Sequence, residues 1–187
     1  GFATADSEPT IPQVPLMRYN EKMIANRNYS ADVNLASTID LPASSPFTVA
    51  FSYVGYSENE NHALGGDGSN DSFRVDIGSS GQRVCLRIGG SSGWFSSLGS
   101  SIVIGGKNFF VITRTSAGAL TVYNNGIAGS LSAGSSTLAS NFQISAIGGG
   151  NTYWFGDGVY DETSVWNHTM TATEVQELFN DGVVLDA

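Results

Sequence analysis

The sequence predicts an all-β fold: a two-sheet antiparallel jelly-roll sandwich with one short C-terminal helix and an extended N-terminal arm. Three observations carry that expectation. From about residue 31 onward, apolar and polar residues alternate with period two, as strands that bury one face require. Short Gly/Ser clusters separate these runs, with 23 glycines among 187 residues, the spacing of many short strands joined by tight turns. A single capped helical pattern closes the chain, and no repeat of solenoid or propeller length interrupts it. The length suits one domain plus an arm.

The arm comes first. Residues 1–30 include Pro9, Pro12 and Pro15, three of the five prolines, which favour extended backbone that docks on something rather than forming core. Residues 31–187 form the sandwich. After a strand at about 33–41, Phe47, Val49, Phe51 and Tyr53 alternate with Thr48, Ala50 and Ser52, an aromatic face turned to a core. Tyr56 to His62 is read as a polar loop. Phe73, Val75 and Ile77, then Val84, Leu86 and Ile88, alternate on either side of Gly78-Ser79-Ser80-Gly81. A hairpin there sets Asp76 opposite Arg83, and Arg74, Arg83 and Arg87 form an outward strip that Asp76 partly neutralises.

Asn108 to Gly126 reads as a second hairpin. With Ser116-Ala117-Gly118 as its loop, Ile112 meets Val122, Phe110 meets Asn124, Thr113 meets Thr121 and Val111 meets Tyr123. Asn124-Asn125-Gly126 then tolerates the positive φ of another tight turn. Strands are expected again at about 141–147 and 157–166. Thr171-Ala172-Thr173-Glu174 is a capping box, with Met170 and Val175 as its hydrophobic staple and Val175, Leu178 and Phe179 as the buried stripe. Asn180-Asp181-Gly182 ends the helix.

Several of these segments together resemble the laminin-G-like, concanavalin A-like lectin/glucanase jelly-roll family. Pro46-Phe47-Thr48-Val49-Ala50-Phe51 is similar to its aromatic strand. Phe109-Phe110-Val111-Ile112-Thr113-Arg114 with Leu120-Thr121-Val122-Tyr123-Asn124-Asn125-Gly126 is similar to its hairpin, with Phe109 where the family often has Trp. Phe155 to Asn167 followed by Met170 to Gly182 resembles the closing strand and helix. The resemblance spans residues 31–182 and implies a lectin-like domain; free-standing members also serve as virion decoration proteins.

Charge narrows the partners. Eight basic against 17 acidic residues give a net charge of −9, which repels nucleic-acid backbones and anionic membranes. No apolar run is long enough to span a bilayer, and residues 1–15 lack the basic start and apolar centre of a signal peptide. The single Cys85 rules out an internal disulfide and a thiolate zinc cluster. Asn28, Asn70 and Asn167 begin glycosylation sequons, which favour export.

Aromatic residues on Gly/Ser loops are the leading candidates for ligand contact. Gly93-Trp94-Phe95 and Tyr153-Trp154-Phe155 lie in such loops, and Trp94, Phe95, Tyr153 and Trp154, with Asn151 and Tyr56, are read as a glycan site. Flat rings stack on sugar C–H faces while amides bind hydroxyls. The same tryptophans also read as packing or subunit-contact anchors, a role slightly favoured over sugar stacking for each ring. Asp67, Asn70 and Asp71 offer hard oxygens to a calcium ion, although the spacing departs from the EF-hand pattern. No Glu-x-Asp-x-Glu strand of the family's hydrolases is present. Asp157 and Asp161 share a strand face, but Asp161 and Glu162 read as backbone-holding residues, and His62 and His168 lack a nucleophile context.

The expected function is a non-catalytic recognition module on a cell surface or particle that binds carbohydrate. The alternative is a structural or decoration subunit of a virion or surface assembly, or a homo-oligomer, docked by residues 1–30. A glycoside hydrolase ranks third.

Overall fold

A computed structural model describes residues 17–19, 33–55, 60–66, 71–76, 82–96, 102, 105–149 and 158–179. The strands are β1 (Met17–Tyr19), β2 (Val33–Leu41), β3 (Phe47–Gly55), β4 (Glu60–Gly65), β5 (Ser72–Asp76), β6 (Arg83–Ile88), β7 (Ser91–Ser96), β8 (Asn108–Arg114), β9 (Leu120–Asn124), β10 (Ile127–Ala128), β11 (Ser130–Gly134), β12 (Phe142–Ile147) and β13 (Gly158–Trp166). One helix, α1 (Ala172–Phe179), follows. The strands form a six-stranded sheet, β1-β13-β3-β8-β9-β10, and a seven-stranded sheet, β11-β7-β6-β5-β4-β12-β2. Every pairing in them is antiparallel.

The alternation builds the core as the sequence requires. Phe47, Val49, Phe51 and Tyr53 of β3 face Phe73 and Val75 of β5, with Val84, Leu86, Phe110, Ile112, Val122, Phe142 and Ile144 in the same buried cluster. Three phenylalanines join the layers: Phe51 meets Phe73 edge-on at 5.3 Å, and Phe110 lies 5.7 Å from Phe51 and 5.5 Å from Phe73. Offset and edge contacts of this kind are the favoured aromatic geometries.

Both expected hairpin registers are present. Asp76 pairs with Arg83, and β8 meets β9 with Ile112 opposite Val122 and Val111 opposite Tyr123. Asn125 (φ 49°) and Gly126 (φ 77°) form the two-residue turn into β10, whose positive φ values match strand twist. A side chain at Gly126 would also meet Gln176 of the helix.

Two expectations change. The segment around Trp94, expected to be loop, is strand β7, and the Tyr56–His62 segment expected to be loop enters β4 at Glu60. Gly89 (φ 56°) and Gly90 (φ 82°) supply a two-residue turn between β6 and β7. In β4 a register shift between His62 and Leu64 leaves both Ala63 and Leu64 buried, which erases the alternation. Within the segment read as the arm, Met17–Tyr19 pairs with Thr163–Val165 of β13 and so extends the chain's own sheet. The rest of residues 1–30 lies outside the described residues.

Helix α1 covers the outer face of the six-stranded sheet. Val175 and Leu178 pack with Met170 on Ala50, Phe109, Val111, Tyr123 and Trp166, and Phe179 stacks on Phe109 at 6.2 Å. The small residues that alternate with the aromatics of β3 make room for this layer. The capping box closes as expected: Thr171 N–H donates to Glu174 Oε2 (2.6 Å), and Glu174 N–H donates to Thr171 Oγ1 (3.3 Å).

At one end of the sandwich, Arg114 is fully buried. Its Nε donates to Ser45 O (2.9 Å), Nη1 to Ser140 O (2.6 Å) and Nη2 to Pro42 O (2.6 Å), and the guanidinium lies 4.5 Å from the Phe47 ring centroid. Burial lowers its pKa, yet a guanidinium stays protonated in proteins.

Two outcomes follow from these contacts. Arg114→Lys retains charge but cannot span three separated carbonyls, so it is expected to lower unfolding free energy by about 2–5 kcal/mol, measured by urea denaturation. An unchanged midpoint would contradict the bridging role. Burial raises the Glu174 pKa, but hydrogen bonds from Thr171 and the proximity of His168 (Nε2 to Oε1 3.4 Å) outweigh it and hold the carboxyl below its ordinary 4.5. A carboxylate depressed by folding stabilises the native state above its unfolded pKa, and that contribution disappears as pH falls through the lowered folded value. Glu174→Gln keeps the cap but is expected to make the acid-side fall in melting temperature shallower; identical pH slopes in both proteins would refute this.

Candidate ligand-binding face

Strand pairing fixes which side chains share the outer face of the seven-stranded sheet. Arg74 pairs with Cys85 and Cys85 with Trp94, making one row across β5, β6 and β7. Ser72, Arg87 and Ser92 make the next row, while Arg83 and Ser96 make the row on the other side, where Asp76 holds the backbone register position opposite Arg83. Their neighbours in sequence, Phe73, Val75, Val84, Leu86 and Phe95, point into the core.

Trp94 is partly exposed on this face. The Arg74 guanidinium carbon lies 4.4 Å from its ring centroid and that of Arg83 lies 4.0 Å away. Such contacts are attractive because the ring's π face is negative. Arg87 donates from Nε to Gly90 O (3.3 Å), and Ser132 Oγ donates to the Trp94 carbonyl (3.1 Å). Cys85 is buried between Arg74 and Trp94 in register. Gly93 is required beside it, since a Cβ there would overlap the Ser135 carbonyl oxygen.

Phe95, paired with Trp94 in the expected glycan site, is 2% exposed. Its ring belongs to the core because the two residues alternate across a strand, so it is removed from the ligand-contact set. Tyr56, Asn151, Tyr153 and Trp154 lie outside the described residues.

Asp71, expected as a calcium ligand, is buried. Oδ1 accepts Gly89 N–H (2.8 Å) and Oδ2 accepts Gln143 N–H (3.3 Å), while its carbonyl accepts Gly66 N–H (3.0 Å). That set fits a latch between the β6–β7 turn and β12 better than a cation ligand. Asp67 and Asn70 lie outside the described residues. Among the described residues no group of three His, Cys, Asp or Glu side chains is placed to hold a metal.

The carboxylates of β13 serve local structure. Asp161 Oδ1 accepts Glu162 N–H (2.8 Å), and Glu162, at φ 55°, accepts Ser52 Oγ (2.6 Å) with Lys107 Nζ at 3.6 Å. They mark a register shift between Asp161 and Ser164, as the sequence reading of backbone-holding residues anticipates. Asp157 lies outside the described residues.

Sequence reasoning put the three arginines on one strip but missed their association with Trp94. The signal was present in Gly89-Gly90: taken as a two-residue hairpin turn, it pairs Ile88 with Ser91 and brings Cys85 opposite Trp94.

The fold agrees with known structures at low sequence identity. A heptameric SAP-like pentraxin from Limulus polyphemus superposes with a TM-score of 0.61 at 18% identity, over 75% of this chain and 72% of that one. The Trypanosoma rangeli sialidase in complex with the inhibitor DANA gives a TM-score of 0.53 at 16% identity, over 73% of this chain but only 23% of the sialidase. No curated protein sequence matches the chain. The Laminin_G_3 family model, described as the concanavalin A-like lectin/glucanases superfamily, matches residues 27–176. Because that match covers 150 of the 187 residues, from before β2 into α1, the chain belongs to the concanavalin A-like lectin/glucanase superfamily.

Proposed function

We propose that the domain is a non-catalytic carbohydrate-recognition module. The observation that carries this reading is Trp94, a large ring set on the outer face of the seven-stranded sheet with arginines beside it, in a fold whose superfamily is described by lectins and glucanases. Rings and planar donors on one rigid strand face are what sugar recognition uses. Tyr56, Asn151, Tyr153 and Trp154 are proposed to extend the site. A non-catalytic role is supported by the hydrogen bonds of Asp71, Asp161, Glu162 and Glu174, whose carboxylates hold backbone or neighbouring side chains, whereas a glycosidase needs two carboxylates facing across a cleft. The Gly/Ser-rich, charge-poor composition supports an extracellular, cell-surface or virion setting.

A second reading, a subunit of a larger assembly, is favoured by the Pro-rich arm and by the heptameric state of the pentraxin that shares the fold. The pairing of Met17–Tyr19 with the chain's own β13 takes those three residues out of any docking segment.

Two experiments separate these readings. On a glycan array the wild-type protein is expected to bind at least one sugar class and the Trp94→Ala, Trp154→Ala double variant to lose it; binding that survives in the variant would remove the basis of the first reading, and sugar release would restore the enzyme. Removing residues 1–15 is expected to lower the oligomeric state in sedimentation if the arm assembles copies, and an unchanged state counts against the second.

A further inference from the structure

Among the described residues the two sheets end in four edge strands, β1 and β10 on one sheet and β11 and β2 on the other. Charge and proline are how edge strands discourage pairing with a further strand. β1 includes Arg18 and β2 includes exposed Asp40. β10 (Ile127–Ala128) and β11 (Ser130–Gly134) include neither charge nor proline, and every residue of both is exposed. Gly129 alone separates them, so these two undefended edges lie on one side of the sandwich. The neutrality reaches further, because residues 115–156 contain no Asp, Glu, Lys, Arg or His.

Pairing fixes where the apolar residues of this side stand. Ile127 lies opposite Asn124, which lies opposite core Phe110, and Leu131 lies opposite core Phe95. Opposed residues of an antiparallel ladder share a face, so both occupy inner-face positions of their sheets, which stack about 10 Å apart. The core therefore runs out to the surface here. Ile127 is 48% and Leu131 41% exposed, the two large apolar side chains so exposed among the described residues. A register shift between Leu131 and Ala133, with Ser132 Oγ donating to the Trp94 carbonyl, shortens the pairing that β11 can offer. That puts most of the contact on the side chains.

Charge selects the occupant. Two molecules of net charge −9 repel where their acidic surfaces meet, and the rim is the part of the surface built from the uncharged stretch. A two-fold contact needs a patch that matches itself, which a neutral apolar seam does. We propose that the β10/β11 side is a homodimer interface, in which two copies meet about a two-fold axis, bury Ile127 and Leu131 of both, and lay their β11 edges side by side. The interface depends on neither the carbohydrate nor the arm reading. Its small extent makes it a weak one, with a dissociation constant of about 10–500 µM.

The test is sedimentation of the full chain from about 5 µM to about 1 mM, over which monomer is expected to pass to dimer. Added sodium chloride is expected to strengthen association by screening the repulsion of like-charged copies, the reverse of an interface held by ion pairs. Ile127→Lys and Leu131→Lys are each expected to weaken the dimer at least about tenfold with the circular dichroism of the wild type retained, and removal of residues 1–15 to leave it unchanged. In the wild type alone, amides of residues 127–134 are expected to exchange more slowly at high than at low concentration, a readout that needs no variant to fold. A monomer at every concentration overturns the inference and leaves the rim to an extended segment of another protein. A dimer that survives both lysine substitutions, or that protects amides only elsewhere, also overturns it, and one lost with residues 1–15 but kept in both lysine variants assigns assembly to the arm instead.

Discussion

One buried cation sets the conditions for the rest of the sandwich. Arg114 sits at the end of β8 in the six-stranded sheet, and its guanidinium reaches carbonyls beside β2 and β12, which belong to the seven-stranded sheet. Its hydrogen-bond partners among the described residues are all main-chain oxygens. A charge removed from water demands full satisfaction, so the corner after β2 and the approach to β12 are held in place around it. The two layers therefore meet with their separation and orientation fixed at that end, and the Phe51, Phe73 and Phe110 contacts continue the seam inward.

The outer faces of the two layers have opposite fates. On the six-stranded sheet, Ala50, Phe109, Val111 and Tyr123 form a second apolar layer that α1 covers. On the seven-stranded sheet, alternation brings arginine, serine and tryptophan outward from β5, β6 and β7. The helix covers one outer face, while Trp94 on the other stays partly exposed. Strands hold side chains more rigidly than loops do, which suits recognition by planar groups whose angles matter.

Much of this was legible in the residues. Period-two runs placed β2, β3, β5, β6, β8, β9, β12 and β13, and the Thr171/Glu174 spacing gave the helix start, because each signal is local and each names its own partner face. The segments that escaped were those whose pattern is interrupted: β4 by its register shift, β7 by glycine and serine in place of bulky residues, and β10 and β11 by shortness and exposure. Mistaking β7 for a loop led directly to Phe95 being grouped with Trp94, since only on a strand do neighbours point to opposite sides. The role of Arg114 was not legible at all; its carbonyl partners lie 26 to 73 positions away in sequence, and nothing in the local pattern names them.

Cys85 lies between Arg74 and Trp94 and retains 6% of its surface. As the sole sulfhydryl of the chain, shielded by its neighbours, it offers oxidants little access and gives two molecules no practical route to join covalently. Stability without internal cross-links, and without exposed sulfur, leaves the fold indifferent to the redox state of whatever compartment holds it.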